Sequence, residues 1–231
     1  MSAASQPLGE PTDFSGAQPP ERAPLTGARV RLRPLNPDTD ARALFELSHA
    51  PTGDPSIWRY LFDGPYETFE SFLADLQLQA QMDDPLFFTV LDADGNPQGV
   101  ASYLAIVPEH GTIELGHIWF GRSLQRSAAA SEVVYLLTSN AIDKLGYRRV
   151  EWKCNALNGP SRNAAERFGF EYEGTFKQHK VIKGHNRDTA WFSITDERWP
   201  ALKLAFERWL APENFDSDGR QLSRLADLRR S

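Results

Sequence analysis

Apolar positions change their period several times along the chain, and each change marks an element. Ala28 to Leu35, ARVRLRPL, alternates apolar and polar residues and predicts a strand. From Asp38 to Ser48 the spacing becomes helical, with Ala41, Leu44, Phe45 and Ser48 on one face. Glu67 to Met82 predicts a second amphipathic helix carrying Phe69, Phe72, Leu73, Leu76 and Leu78. LFFTVLD and QGVASYLAIV are two strands joined by DADGNP, whose central Asp94-Gly95 predicts a hairpin turn. TIELGHIWFG, Thr112 to Gly121, is the next strand. A helix follows in which Val133, Leu136, Leu137, Ala141 and Leu145 keep helical spacing, and Gly146 sits where a helix stops. RRVEWKCNA predicts a strand and Ser161 to Phe168 a short helix ending at Gly169. FEYEGTFKQHKVI and RDTAWFSITD close the pattern as a strand pair around KGHN.

The order β-α-α-β-β-β-α-β-α-β-β is an α/β (α+β) pattern with a largely antiparallel hairpin half and one parallel crossover. Residues 1–24 hold Pro7, Pro11, Pro19, Pro20 and Pro24 among Ser, Ala, Gly and Glu, and bury too little apolar surface to offset their ordering entropy. They are expected as a flexible tail. Residues 25–210 form the expected domain. Residues 211–231, with Phe215, Leu222, Leu225 and Leu228 as their sizeable apolar residues, are expected as a polar tail or a short helix.

Composition narrows the function classes. The formal net charge is −6, which argues against a nucleic-acid binder. Cys154 is the single cysteine, so a disulfide framework and multi-cysteine metal sites are excluded. No apolar run is long enough to span a membrane, and no signal peptide is visible, so a cytoplasmic protein is expected. His179, His185 and Asp188 lack ligand spacing, and no metal is expected. Cys154 has no activating base near it in sequence.

The loop SLQRSAAASEVV, Ser123 to Val134, lies between a strand and a helix. A helix that starts there aims its free N–H groups back toward the strand end, where an anion can dock. The N–H groups of Arg126 to Ala130 could serve, although the loop has no glycine. The bland alternative is an alanine-rich helix start.

Three stretches resemble the GNAT superfamily of N-acetyltransferases, in the branch of the ribosomal-protein alanine acetyltransferases. ELGHIWFGRSLQRSAAASEVV resembles a strand followed by an acyl-CoA pyrophosphate loop of pattern Gln/Arg-x-x-Gly-x-Gly/Ala, read here as Gln125-Arg126-Ser127-Ala128-Ala129-Ala130. LGYRRVEWKCNALNGPSRNAAERFGFEYEG resembles the second half, with Asn158, Ser161, Gly169-Phe170 and Glu173-Gly174 in place. GHNRDTAWFSI resembles the final strand.

The resemblance implies a mixed, mostly antiparallel twisted sheet with a splayed central strand pair and flanking helices. It implies acetyl-CoA as co-substrate and direct transfer to a primary amine, either a protein N-terminus or a small amine. The pyrophosphate would rest on the N–H groups of Arg126 to Ser131, and the pantetheine arm along Ile118, Trp119 and Phe120. Asn158 would contact the pantetheine or the acceptor, and Ser161 would protonate the leaving thiolate. Tyr172 lies beyond the position where relatives use a tyrosine. A homodimer is expected by family analogy alone.

The attacking amine must lose a proton, so a general base is needed. Glu114 and His117 are the titratable residues of that strand, and Glu114 is the favoured base. Three apart, they face opposite sides of a regular strand unless a bulge intervenes. Trp58 and Tyr60 are candidates to touch the acceptor along with His117, the alternative for Trp58 and Tyr60 being helix packing. Arg148 and Arg149 read as a solvated strand start, near the cofactor's adenine or 3′-phosphate. Alanine can replace the loop glycines if Arg126 and Ala128 keep negative φ. Left-handed geometry there, or a side chain over the N–H groups, counts against the loop. The missing glycines keep a second reading open, a non-catalytic acyl-CoA-binding or sensor protein.

Overall fold

The alternating segments pair into one sheet in a computed structural model that describes residues 8–229. Its strands are β1 (Leu25–Thr26), β2 (Arg31–Pro34), β3 (Leu86–Leu91), β4 (Pro97–Val107), β5 (Thr112–Phe120), β6 (Arg149–Asn155), β7 (Glu171–Ile182) and β8 (His185–Thr195). They lie in the order β1-β2-β3-β4-β5-β6-β8-β7. Neighbours are antiparallel except β5 and β6, which run parallel across the crossover.

The helices are α1 (Pro37–Ser48), α2 (Phe69–Gln79), α3 (Ala128–Ser139), α4 (Gly159–Phe168), α5 (Trp199–Leu210) and α6 (Leu225–Leu228). Their starts follow from capping chemistry. The Asn36 side chain accepts from the Asp38 N–H with Pro37 in the first turn, and Thr68 and Ser71 form a reciprocal capping box. Gly169 ends α4 at φ +96°, a conformation that favours glycine. α5 is an element beyond the expected order. Its signal is present in the chain: Pro200 stands in the first turn, and Leu202, Ala205, Phe206 and Trp209 are buried along one face.

Two cores sit on the two faces of the sheet. α1 and α2 cover one face at β3, β4 and β5, where Leu44, Trp58, Phe72, Phe87, Val100 and Trp119 pack together. The larger core lies on the other face, where Phe88, Tyr103, Val150, Phe192 and Ile194 meet Val133, Leu137 and Phe206. All six residues of β3 are therefore buried. Buried Asp40 ties α1 to the sheet by accepting from Thr89 Oγ1 at 2.5 Å and from Arg33. Buried Glu132 on α3 accepts the N–H groups of Ala28, Arg29 and Val30, which fixes the turn before β2.

Parts of the terminal segments also lie against the body. Ala17 N–H donates to Pro108 O and Gln18 N–H to Leu145 O, while Arg148 covers the Phe14 ring at 5.7 Å. Leu225 of α6 is buried in the larger core.

Candidate active site

The site begins where β5 and β6 part. Their pairing stops at Glu114 opposite Glu151, although β6 continues to Asn155 and β5 to Phe120. Beyond that point each strand presents an unpaired edge, the splayed central pair that the resemblance implies. β5 carries one residue more than β4 between the pairs Ser102–Gly116 and Val100–Trp119. The extra residue is His117, at φ +48°. This bulge turns His117 onto the side of the sheet that Glu114 faces, so both line one cleft. A regular strand would have separated them.

One wall of the cleft is a ladder of charge. Lys153 Nζ lies 2.8 Å from Glu114 and 2.5 Å from Glu151, and Arg149 Nε lies 2.7 Å from Glu151 and pairs also with Glu173. Glu114 is 7% exposed, and burial raises its pKa above the usual carboxylate range, against the pull of Lys153. Burial works against the Lys153 charge, but its two carboxylates outweigh it and hold its pKa up. Lys153 takes Oε2 of Glu114, while Oε1 has no hydrogen-bond partner among the described residues.

His117 is fixed by Ser102. The Ser102 hydroxyl donates to Gly116 O at 3.0 Å, so at 3.1 Å from His117 Nδ1 its oxygen accepts. Nδ1 therefore carries the proton and Nε2 keeps its lone pair. Burial lowers the His117 pKa to about 4, with the Arg187 charge adding to it, so the ring is neutral at pH 7.

Ser161 and Asn158 form the opposite edge. Asn158 caps α4 by accepting the Ser161 N–H at 3.2 Å, and Pro160 stands in the first turn. Trp152 Nε1 donates to Ser161 Oγ at 3.0 Å, which leaves the hydroxyl hydrogen to donate elsewhere. Cys154 lies beside it, and burial pushes its thiol pKa up, so the sulfur is a neutral thiol. Such a thiol is a poor nucleophile.

A strap of residues 55–66 roofs the cleft. Lys183 sits in the tight β7–β8 turn with Gly184, both at positive φ as a two-residue hairpin demands. Its Nζ donates to Trp58 O and Asp63 O, each at 2.7 Å. On the other side Tyr60 Oη donates to Leu157 O at 3.2 Å. The cavity beneath it is about 120 Å³ and stays partly open to solvent.

The remaining expected residues fall in several places. Tyr60 and Ile118 line the cleft. Trp58 is 5% exposed, donates from Nε1 to Ser48 O and packs on Trp119 in the smaller core; helix packing describes it. Phe120 is half-buried at the end of β5 and accepts a hydrogen bond at its carbonyl from Gln125. Tyr172 is exposed and bonded to Thr175, away from the cleft. Arg149 is half-buried and paired with Glu151 and Glu173 rather than solvated, whereas Arg148 is exposed, its guanidinium 5.7 Å from the Phe14 ring. Among the described residues no group of His, Cys, Asp and Glu could hold a metal ion, and no helix is long and apolar enough to cross a membrane.

The loop before α3 departs from expectation in two ways. Arg126 has φ +59°, so the requirement of negative φ fails there, while Ala128 lies inside the helix. The Ser127 hydroxyl accepts the Ala130 N–H at 3.0 Å, which removes that group from the free set. The N–H groups of Arg126, Ala128 and Ala129 have no partner among the described residues. Left-handed geometry at Arg126 and the Ser127 side chain over one N–H both count against the loop, whose remaining claim rests on those three N–H groups. Arg187, Lys153 and Glu132 carried no sequence signal. Each is defined by partners distant in the chain.

Comparison with known proteins places this geometry in a family. Residues 29–171 match the acetyltransferase (GNAT) domain family. The crystal structure of a GCN5-related N-acetyltransferase from Brucella melitensis is 45% identical, covers 95% of this chain and 99% of its own, and superposes with a TM-score of 0.91. A probable acetyltransferase of the GNAT family from Chromobacterium violaceum is 38% identical over 87% of this chain and 98% of its own, with a TM-score of 0.77. An uncharacterized N-acetyltransferase, p20, from Bacillus licheniformis is 25% identical over 61% of this chain and 81% of its own length.

Proposed function

The chain belongs to the acetyltransferase (GNAT) family and is an N-acetyltransferase, and we propose that it moves an acetyl group from acetyl-CoA onto a small primary amine held in the roofed cleft. The observation that carries this reading is the meeting of Glu114, His117 and Ser161 in one cavity at the β5–β6 splay. A protein terminus would need an open groove, whereas Lys183 and Tyr60 fasten the strap across the cleft.

The residues suit acetyl-CoA. The free edge of β5 at Ile118 to Phe120 offers backbone groups to an extended pantetheine arm, and Asn158 stands across the splay. The unpartnered N–H groups of Arg126, Ala128 and Ala129, at the positive end of α3, suit the pyrophosphate. Acetyl-CoA supplies an activated thioester. Glu114 is the general base, reached directly or through one water. Burial raises its pKa and lowers that of His117 to about 4, so Glu114 is the stronger base of the two. His117 accepts a hydrogen bond from the amine through Nε2. Ser161 donates its hydroxyl proton to the leaving sulfur. Residues 25–210 form the catalytic domain.

The test is a thermal shift with acetyl-CoA followed by thiol release over a panel of amines. Ser161→Ala should lower kcat about 100-fold, the low end for a general acid, with acetyl-CoA binding kept. An unchanged kcat removes Ser161 from the chemistry. Binding without turnover of any amine favours the sensor reading.

A further inference from the structure

One charge in the cleft makes no ion pair. Arg187, on β8, is 6% exposed and lines the cavity with Glu114 and His117. Its guanidinium makes no ion pair and no hydrogen bond among the described residues, and its Nε is buried without a partner. Every carboxylate on the adjoining wall is already engaged: Glu114 and Glu151 by Lys153, and Glu173 by Arg149. A buried cation without an ion-pair partner is costly to keep, since burial removes its hydration and the Glu114 charge, already paired with Lys153, offsets that only in part. The Arg187 pKa is accordingly lowered by burial.

The surroundings hold the group ready. The Phe62 ring of the strap lies under the guanidinium at 4.6 Å and covers one face. A guanidinium stacked in this way keeps its in-plane N–H groups for a planar, two-oxygen acceptor. Lys180, opposite Arg187 on β7, lies 5.0 Å from the same ring and adds a second positive charge at this end. The cleft is thus polarised. The proton-accepting groups Glu114 and His117 stand on β5, and the unpaired cation stands on β8.

We propose that Arg187 binds a carboxylate carried by the acceptor, so that the enzyme's acceptors are small amines bearing a carboxylate, as amino acids do. The carboxylate sits on the Arg187 edge while the amine is presented to Glu114. Arg187 then selects the substrate rather than accelerating transfer. This rests on the N-acetyltransferase reading of the same cleft.

The experiment uses the full-length protein and pairs each amino acid with its decarboxylated amine. Thiol release with acetyl-CoA should give kcat/KM about 100-fold higher for the amino acid, the scale of a lost charge-assisted bidentate contact. Arg187→Gln should lower it toward the level of the amine, mainly through KM, while the decarboxylated amine loses far less. Arg187→Lys should recover part of the loss. A peptide whose first residue is Asp, offered beside free Asp, shows whether the carboxylate belongs to a free amino acid or to a side chain; use of either supports the assignment. Equal use of both members of each pair, or an equal loss of both in Arg187→Gln, overturns it. A second readout is independent of turnover. The amino acids should raise Tm of the wild type in the presence of CoA and not that of Arg187→Gln, and no shift in the wild type overturns the proposal. A shift without turnover of any amine leaves the carboxylate site standing and removes the catalytic reading instead. Arg187→Met is the folding control. Losing a buried unpaired charge, it should melt no lower than the wild type.

Discussion

The two faces of β6 and β8 are built from the same strands and do opposite work. On one face Val150, Trp152, Cys154, Ala190, Phe192 and Ile194 are buried against α3, α4 and α5. On the other, the charges of Arg149, Glu151 and Lys153 form a ladder that continues to Glu114 and Glu173, with Arg187 alone at its end. β6 alternates strictly between buried and half-buried residues, so the division follows from the strand period. Apart from Trp152, whose Nε1 reaches through to Ser161, the apolar face offers contacts that any hydrophobic residue of similar volume could supply. The polar face holds groups whose identity and protonation state matter. Changes on the first should therefore be read as stability, and changes on the second as rate.

The largest expected effect breaks the apolar face. Phe192→Ala removes a fully buried ring between Tyr172 and the larger core. It should destabilise the fold by about 3–5 kcal/mol, seen as a lower urea midpoint, with kcat of the surviving folded enzyme preserved. A large fall in kcat at full folding would blur the division. Next comes Glu114→Gln. It keeps the shape and leaves Lys153 paired with Glu151, so it should melt near the wild type while kcat falls about 100-fold or more. Because burial raises the Glu114 pKa, the wild-type rate should fall as pH drops below a point above the ordinary carboxylate range. That acid limb should vanish in the variant. A variant with the wild-type rate and limb would assign the base elsewhere.

His117 sharpens the comparison from a different side, because on the polar face it is a buried group that titrates. Its folded pKa is near 4 through burial, with Arg187 and Lys180 adding to the shift and Asp75 opposing it, against about 6.5 in an unfolded chain. Between those values the unfolded chain binds a proton that the folded chain refuses. The stability it contributes is thus complete above pH 6.5 and is lost as pH falls toward 4, by about 2–3 kcal/mol. His117→Gln should flatten the stability profile in that window. Denaturant midpoints at pH 7 and pH 4.5 would measure it, and an unchanged slope would mean that the ring is solvated.

How much of this was legible in the chain depends on the range of the interaction that fixes each feature. Strands β2 to β8 and α1 to α4 follow from period and capping residues a few positions apart, whereas the two-residue β1 was not expected. α5 was equally legible, since Pro200 and the Leu202, Ala205, Phe206, Trp209 spacing announce it; its start just past the last strand hid it behind a tail-like segment. Glu114, Ser161 and Asn158 were visible through family motifs, and they meet in the cleft. The bulge at His117 was not visible, because GHIW holds no residue that demands a positive φ there. Arg187 sits in the polar stretch KGHNRD and looks solvated. Only Phe62, more than a hundred residues away, and the strap above it make that arginine buried. Local patterns predicted elements, whereas burial of charge needed the tertiary fold.

The smallest effect concerns Arg126, which the same reasoning places between the two kinds of residue. Its φ of +59° costs an L-residue about 1 kcal/mol that glycine does not incur. Its N–H, together with those of Ala128 and Ala129, is what the pyrophosphate would use, so the side chain has no assigned contact. Arg126→Gly should therefore raise stability by about 0.5–1 kcal/mol, less the entropy that glycine gains in the unfolded chain. KM for acetyl-CoA should stay within about twofold, since the backbone and its left-handed turn are kept. Arg126→Val, which opposes positive φ with a β-branched side chain, should lose stability and raise KM together. If Arg126→Gly raises KM strongly at intact stability, the guanidinium rather than the backbone holds the anion, and the loop works by side-chain charge as the opposite wall does.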